Sequence, residues 1–408
     1  MKRVVITGMA GLTAIGQNWA SIEKNLRAKK SGIVRMSEWD RFPNLNTRLG
    51  CPISDFQVPS HYNRKKTRSM GRVALLSVCA TEMALQDAGL LNDAEIQNGN
   101  TGIAYGSSIG SSESISVFGR MLDSGVIQGM TANTYIKMMA HTGAVNIGLF
   151  FGITGRIIPT CTACTSGSQA IGYAYETIKH GYQTVMIAGG AEELCPTQAA
   201  VFDTLYATST QNDYPCFTPR PFDKDRDGLV IGEGAGTIIM EEMEHAKKRG
   251  ANIYAEIVGF ATNSDGVHVT QPTINTMQIA MQQALDDAGL SPGAIGYINA
   301  HGTATEHGDI AESHATYNIF GGKTPVSSSK SYLGHTLGAC GVLESWISIQ
   351  MMRHDWYAPT INLVTLDPRC AELDYIVCEG RVLNNEYVMN NNFAFGGINT
   401  SLIFKRWH

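Results

Sequence analysis

Cys164 stands between Arg156-Ile157-Ile158-Pro159-Thr160, which reads as a strand, and Ser166-Gly167-Ser168-Gln169-Ala170-Ile171, which reads as small residues opening a helix. A cysteine on such a turn faces unpaired backbone N–H groups and the positive helix end, which favour the thiolate and nucleophilic attack. The flanking Thr162, Thr165, Ser166 and Gly167 fit that reading, since a merely structural core cysteine needs no polar, glycine-bearing turn. Asn299-Ala300-His301-Gly302-Thr303 follows the apolar segment 295–298 and places His301 just past a strand end. The run from Ser327 through Lys330 to His335 again follows a strand and enters a helix. Two histidines and a lysine at strand ends, in a chain with 11 His, predict a shared cleft. Asn391-Asn392-Phe393-Ala394-Phe395-Gly396-Gly397 predicts a tight turn with exposed aromatics, whose glycines bring backbone N–H groups near an oxyanion.

Other suggestive spacings fail on inspection. Gly8-Met9-Ala10-Gly11 reads as a turn after a strand but lacks the G-x-G-x-x-G spacing that admits a pyrophosphate. Gly321-Gly322-Lys323-Thr324 ends like a phosphate loop, yet Tyr317 stands where its first glycine belongs and Pro325 follows. Asp223 to Gly228 imitates the start of a calcium loop, but the position of the bidentate acid is Gly234. It reads as a charged turn held by Asp–backbone and Asp–Arg bonds. Cys161-Thr162-Ala163-Cys164 has C-x-x-C spacing without the second Cys or His pair that structural zinc needs. No metal and no cofactor is expected.

The elements that must position these groups belong to a large α/β chain. Its 408 residues are 43% hydrophobic and only 16% charged, with 43 Gly, an interior-rich and tightly turned composition. A net charge of -5 speaks against a nucleic-acid binder. Nine cysteines without framework spacing read as reduced thiols of a cytoplasmic protein. The N-terminus is no convincing signal peptide, and no apolar run is long enough to span a membrane. Val4 to Thr7 predicts a short buried strand, 71–90 a helix ending at Gly89, and 101–106, 185–191 and 235–240 interior strands. Residues 107–145 predict mixed helix and irregular chain. Ala84-Leu85-Gln86-Asp87-Ala88-Gly89-Leu90 recurs almost unchanged as Ala284-Leu285-Asp286-Asp287-Ala288-Gly289-Leu290. Each copy closes a helix ahead of a glycine-bounded strand, which predicts two related halves, 1–250 and 251–408.

Taken in order, the motifs ITGMAGLTAIG, TACTSG, AGGAE, RPFDKDRDGLVIGEGAG, NAHGTATEHGD, SSKSYLGHTLGACGVLE and NNFAFGGIN resemble those of the β-ketoacyl-[acyl carrier protein] synthases, the elongating condensing enzymes, nearly end to end. The resemblance implies a duplicated thiolase-like α/β fold, layered αβαβα with two mixed sheets. It implies decarboxylative condensation of malonyl carrier protein with a Cys-bound acyl chain, in fatty-acid or polyketide synthesis, and within the family looks like the aryl-polyene type. The family's nucleophile falls on Cys164, its histidines on His301 and His335, and its lysine on Lys330. Glu344, Phe395, Thr303 and Thr305 fall on supporting positions, Phe395 as a gate. Ala394 replaces the usual glycine and implies a stiffer or shifted gate. Implied partners are an acyl carrier protein bearing acyl and malonyl phosphopantetheine thioesters, and either an identical chain or a related chain-length subunit. The run His61 to Arg68 carries four positive charges and no acid, so Arg64, Lys65, Lys66 and Arg68 are expected to receive the acidic carrier. The alternatives are a coenzyme A acyltransferase of the thiolase kind, which would pair one His with a second Cys, and a catalytically silent chain-length subunit.

Overall fold

Val4–Thr13 (β1) is buried at all ten positions, which fits a central strand covered on both faces. The computed structural model describes residues 1–408. In the N-terminal half, β1 is followed by Arg72–Asp87 (α1), Thr101–Gly106 (β2), Thr142–Phe151 (α2), Ile157–Thr160 (β3), Ser166–Lys179 (α3), Val185–Glu192 (β4) and Gly234–Glu242 (β5). The C-terminal half runs Ala255–Ser264 (β6), Ile274–Ala288 (α4), Ile295–Asn299 (β7), Glu306–Phe320 (α5), Pro325–Ser327 (β8), Cys340–Arg353 (α6), Tyr387–Ala394 (β9) and Ile398–Arg406 (β10).

The duplication extends to strand order and direction. The first sheet reads β1-β5-β4-β2-β3 and the second β6-β10-β9-β7-β8, with Asp374–Tyr375 added at the outer edge. In each, the first two pairings are antiparallel and the last two parallel. The sheets meet where Val4, Val5 and Ile6 pair with Ile257, Glu256 and Ala255. Helices α3 and α6 lie between the sheets, α1 and α2 cover the outside of the first, and α4 and α5 cover the second. Every residue of α6 from Cys340 to Met352 is buried, as a helix enclosed on all sides requires. Ala170, Ile171 and Ala174 of α3 share one core with Val342, Leu343, Trp346 and Ile347 of α6.

The repeated heptapeptides end the equivalent helices α1 and α4, and Gly89 (φ 68°) and Gly289 (φ 65°) take the left-handed conformation that terminates each. Gly8 to Gly11 is a correction: it forms no turn, and β1 continues to Thr13. Its glycines serve packing instead. A Cβ on Gly8 would lie 2.4 Å from the Ala84 carbonyl, and one on Gly11 2.3 Å from the Trp346 ring. Residues 107–145 contribute the helices Ser112–Ser124 and Ala132–Met138. No helix is long and apolar enough to cross a membrane.

Candidate active site

Cys164 follows β3 and precedes α3, while His335 follows β8 and precedes α6, so the two groups occupy equivalent crossovers of the two halves. Their helices pack together between the sheets, which brings His335 Nε2 to 3.0 Å from Cys164 Sγ. Ala163, immediately before Cys164, is held at φ 50°, a strained conformation that the surrounding turn must fix. Backbone N–H groups of Cys164 and Phe395 both face the Cys164 sulfur. The backbone donors favour the thiolate as expected, but burial outweighs them and the pull of Lys330 and pushes the Cys164 thiol up to about 11.

His301 follows β7. Glu312 on α5 fixes its turn by accepting from the backbone N–H of His301 and of Gly302, both at 2.7 Å. Burial pushes the Glu312 carboxyl up to about 8. The His301 and His335 rings meet edge to face with centroids 5.2 Å apart. Lys330 Nζ donates to His301 Nδ1 at 3.2 Å, and the Leu337 backbone N–H donates to His335 Nδ1 at 3.3 Å. Each Nδ1 is therefore an acceptor, which leaves the proton of each neutral ring on Nε2. Burial first, then the Lys330 charge, holds both imidazoles well below their usual range, so they are neutral at physiological pH.

Lys330 and Glu344 stand behind the histidines. Lys330 Nζ donates to Glu344 Oε1 at 2.5 Å, and Asn392 Nδ2 donates to Glu344 Oε2 at 2.7 Å. Burial opposes the Lys330 charge, yet the Glu344 carboxylate outweighs it and keeps the ammonium protonated. Burial also raises Glu344, with Lys330 and Asn392 pulling the other way. The close contact and the Asn392 bond favour the charged pair. Asn392 is a site residue that motif reading overlooked. It stands in β9, which is buried from Val388 to Phe393, on the same face as Asn390, whose Nδ2 donates to Asn392 Oδ1 at 3.3 Å.

Cys164, His301, His335, Thr303, Thr305 and Phe395 line one cavity of about 420 Å³. The Thr303 and Thr305 hydroxyls are 2.9 Å apart. The aromatics of the C-terminal turn are less exposed than expected: Phe393 is buried, and Phe395 is half-buried against Phe202 with ring centroids 4.9 Å apart. Ala394 ends β9 opposite Ile398, a strand position that needs no glycine; Gly396 (φ 87°) and Gly397 (φ 73°) make the turn. Arg64, Lys65, Lys66 and Arg68 lie exposed on or beside the short helix Arg64–Thr67, and none lines the cavity. Lys66 rests over the Phe150 ring at 4.5 Å.

Ligand atoms of Cys164, His301 and His335 lie within 4.8 Å of one another, as do those of His301, Cys340 and Glu344. The chemistry does not suit a metal. A ligating imidazole donates its other N–H outward to an acceptor, whereas both Nδ1 atoms here receive hydrogen bonds. Lys330 Nζ already bridges Glu344 and His301 in the second cluster. Asp223 likewise serves structure: it accepts from the backbone N–H groups of Asp225, Val364 and Thr365.

The family described as "Beta-ketoacyl synthase, N-terminal domain" matches residues 1–246, and "Beta-ketoacyl synthase, C-terminal domain" matches residues 254–364. The 3-oxoacyl-[acyl-carrier-protein] synthase 2 of Vibrio cholerae serotype O1 is 39% identical over 427 residues, covering 99% of both proteins. The crystal structure of a beta-ketoacyl synthase from Burkholderia phymatum STM815 is 61% identical, covers 100% of both chains and superposes with a TM-score of 0.99. A chain of the structure of a type II PKS acyl-carrier protein in complex with its ketosynthase bound to the hexaketide is 29% identical, with a TM-score of 0.89 and coverage of 100% of both chains. Matched over both halves and carrying a cysteine and two neutral histidines in one cavity, this chain belongs to the beta-ketoacyl synthase family of condensing enzymes.

Proposed function

We propose that this condensing enzyme works through a Cys164 acyl thioester and a two-histidine enolate site. Cys164 Sγ attacks the acyl thioester of a carrier protein. The new S–C bond forms as the carrier's C–S bond breaks, and the cysteine proton ends on the departing carrier thiol. The Cys164 and Phe395 N–H groups receive the oxyanion. Malonyl carrier protein then takes the same cavity, with its arm beside Thr303 and Thr305. Its carboxylate leaves as carbon dioxide, and the released electron pair moves onto the thioester oxygen, held by the Nε2–H groups of His301 and His335. The carbanion attacks the acyl carbon, the C–Sγ bond breaks, and a solvent proton restores the thiol. Lys330 and Glu344 act through His301, whose tautomer they fix.

The observation that carries this reading is the pair of Nε2–H donors beside one thiol, each fixed by a donor to its own Nδ1. Cys340 bears on the coenzyme A alternative, being a second thiol in the site. Its Sγ is turned to the Cys164 carbonyl at 3.1 Å, away from the cavity, which favours the two-histidine route. We further propose Arg64, Lys65, Lys66 and Arg68 as the carrier's docking residues, a half boundary near residue 250, and a second chain, identical or of the chain-length kind. Exposed Leu122, Ile127, Tyr135 and Leu149, and the open sheet edge formed by β3, support that second chain. Intact-mass analysis of Cys164 acylation, read beside carbon dioxide release from malonyl carrier protein, tests the mechanism. A Cys164→Ala protein that still forms the adduct overturns it.

A further inference from the structure

His335 owes the position of its ring proton to a backbone N–H in a strained turn. Its main chain is fixed independently: the His335 N–H donates to the Val230 carbonyl at 2.7 Å, and its carbonyl accepts from the Gly232 N–H at 2.9 Å. The ring is steered by the Leu337 N–H, which meets Nδ1 at 3.3 Å. Leu337 is held at φ 45°, a left-handed conformation that a leucine keeps where its surroundings impose it.

The hold lies on the next residue. The Gly338 N–H donates to Glu192 Oε2 at 3.1 Å, and the same oxygen accepts from the Ser108 N–H at 2.8 Å. Glu192 ends β4 and is fully buried. Its other oxygen accepts from Ser107 Oγ at 3.1 Å and from Gln198 Nε2 at 3.3 Å. On its carbonyl side Gly338 is pressed against bare backbone. A Cβ placed on Gly190 would lie 2.4 Å from the Gly338 oxygen, and one on Gly167 2.9 Å from it. The peptide is wedged between two glycines and a carboxyl of the N-terminal half. Glu312 holds the His301 turn from within the C-terminal half, whereas Glu192 ties the His335 turn to the half that carries Cys164. Burial pushes the Glu192 carboxyl up to about 7. Oε2 accepts from both N–H groups in either protonation state, so reach rather than charge does the holding.

Resting on the two-histidine enolate mechanism above, we propose that Glu192 is the positioning residue of His335. By holding the Gly338 N–H it keeps the Leu337 N–H on His335 Nδ1, and so keeps the enolate-binding proton on Nε2. It touches no reacting atom.

Two variants separate reach from charge. Glu192→Asp keeps the charge and withdraws both oxygens by one methylene, whereas Glu192→Gln keeps the reach, with its amide oxygen taking both N–H groups. Glu192→Asp should slow carbon dioxide release from malonyl carrier protein at least about tenfold, toward the roughly 100- to 1,000-fold lost with a whole oxyanion donor. The loss should fall on kcat with KM unchanged, and Cys164 acylation, followed by intact mass, should stay near the wild-type rate. Glu192→Gln should restore release. Nitrogen-15 NMR of ring-labelled histidine, with the His335 signals assigned by their absence from His335→Ala, reads the tautomer: Nε2–H in the wild type and in Glu192→Gln, mixed in Glu192→Asp. Thermal unfolding reports whether each variant folds. Should Glu192→Asp not fold, Gly338→Ala takes its place with the same expectations, since its Cβ would stand 2.8 Å from Glu192 Oε2 and displace it. A folded variant of either kind with wild-type release and an unchanged His335 tautomer overturns the proposal. So does a Glu192→Gln protein as slow as Glu192→Asp, which would assign the effect to charge. Absence of carbon dioxide release from the wild-type protein overturns the condensing mechanism itself, a separate result.

Discussion

Glu344→Gln removes the counter-charge of a lysine enclosed in protein. Lys330 is 1% exposed and the pair is separated by 2.5 Å, with no second carboxylate bonded to the ammonium. Two responses are open to the variant: bury an unpaired ammonium, or release its proton. Breaking a buried pair costs about 3 to 5 kcal/mol. Proton release sets a ceiling, since an unfolded lysine near 10.4 must be neutralised at about 1.4 kcal/mol per pH unit, or about 4 to 5 kcal/mol at pH 7. The two figures agree, so the variant should be about 3 to 5 kcal/mol less stable at pH 7. The pH dependence identifies the cause. In the wild type Lys330 is protonated both folded and unfolded across neutral pH and contributes no slope. In the variant the folded value is depressed, the unfolded chain binds the extra proton, and stability rises with pH by up to about 1.4 kcal/mol per unit until the unfolded lysine titrates. Urea unfolding of both proteins at pH 7 and pH 9 measures this. A loss under about 1 kcal/mol, equal at both pH values, would refute the buried ion pair and with it the route by which Glu344 acts on His301.

Cys164→Ala should lose the acyl adduct and condensation while still releasing carbon dioxide from malonyl carrier protein, because the enolate donors are untouched. His335→Ala should acylate but decarboxylate roughly 100- to 1,000-fold more slowly, the usual loss for one oxyanion donor; a normal rate of carbon dioxide release would end the two-histidine mechanism. Since both imidazoles are held neutral by burial and Lys330, wild-type decarboxylation should not fall as the pH drops through 6.5, and a fall centred there would mean that a histidine charges. Lys65→Glu with Arg68→Glu should weaken carrier binding, and wild-type binding should weaken with salt; titration calorimetry at two ionic strengths checks both.

Much of the site could be read in the chain because its chemistry is local. Cys164 and His301 stand just past strand ends, and His335 follows the short helix after Pro325–Ser327, each beside small or polar residues that break the apolar runs. The paired heptapeptides exposed the duplication because a helix end that packs in the same way in both halves requires the same residues. The N-terminal glycines misled, since a glycine needed for φ and one needed because Trp346 or Ala84 approaches look identical in sequence.

What the amino-acid sequence determined, then, is the order of strands and helices and the identity of the reacting groups. Only the tertiary structure decided their state. The thiol whose turn favours the thiolate is pushed up by burial, because the fold encloses that helix end within the protein. Which nitrogen of each histidine carries the proton depends on Lys330 and Leu337, donors brought up by the fold around β8 and α6. Asn392 lies within the NNFAFGGIN run, but its role arises from what the fold sets beside it, the Lys330–Glu344 pair. Local pattern specifies elements, but protonation and hydrogen-bond satisfaction depend on neighbours distant in sequence.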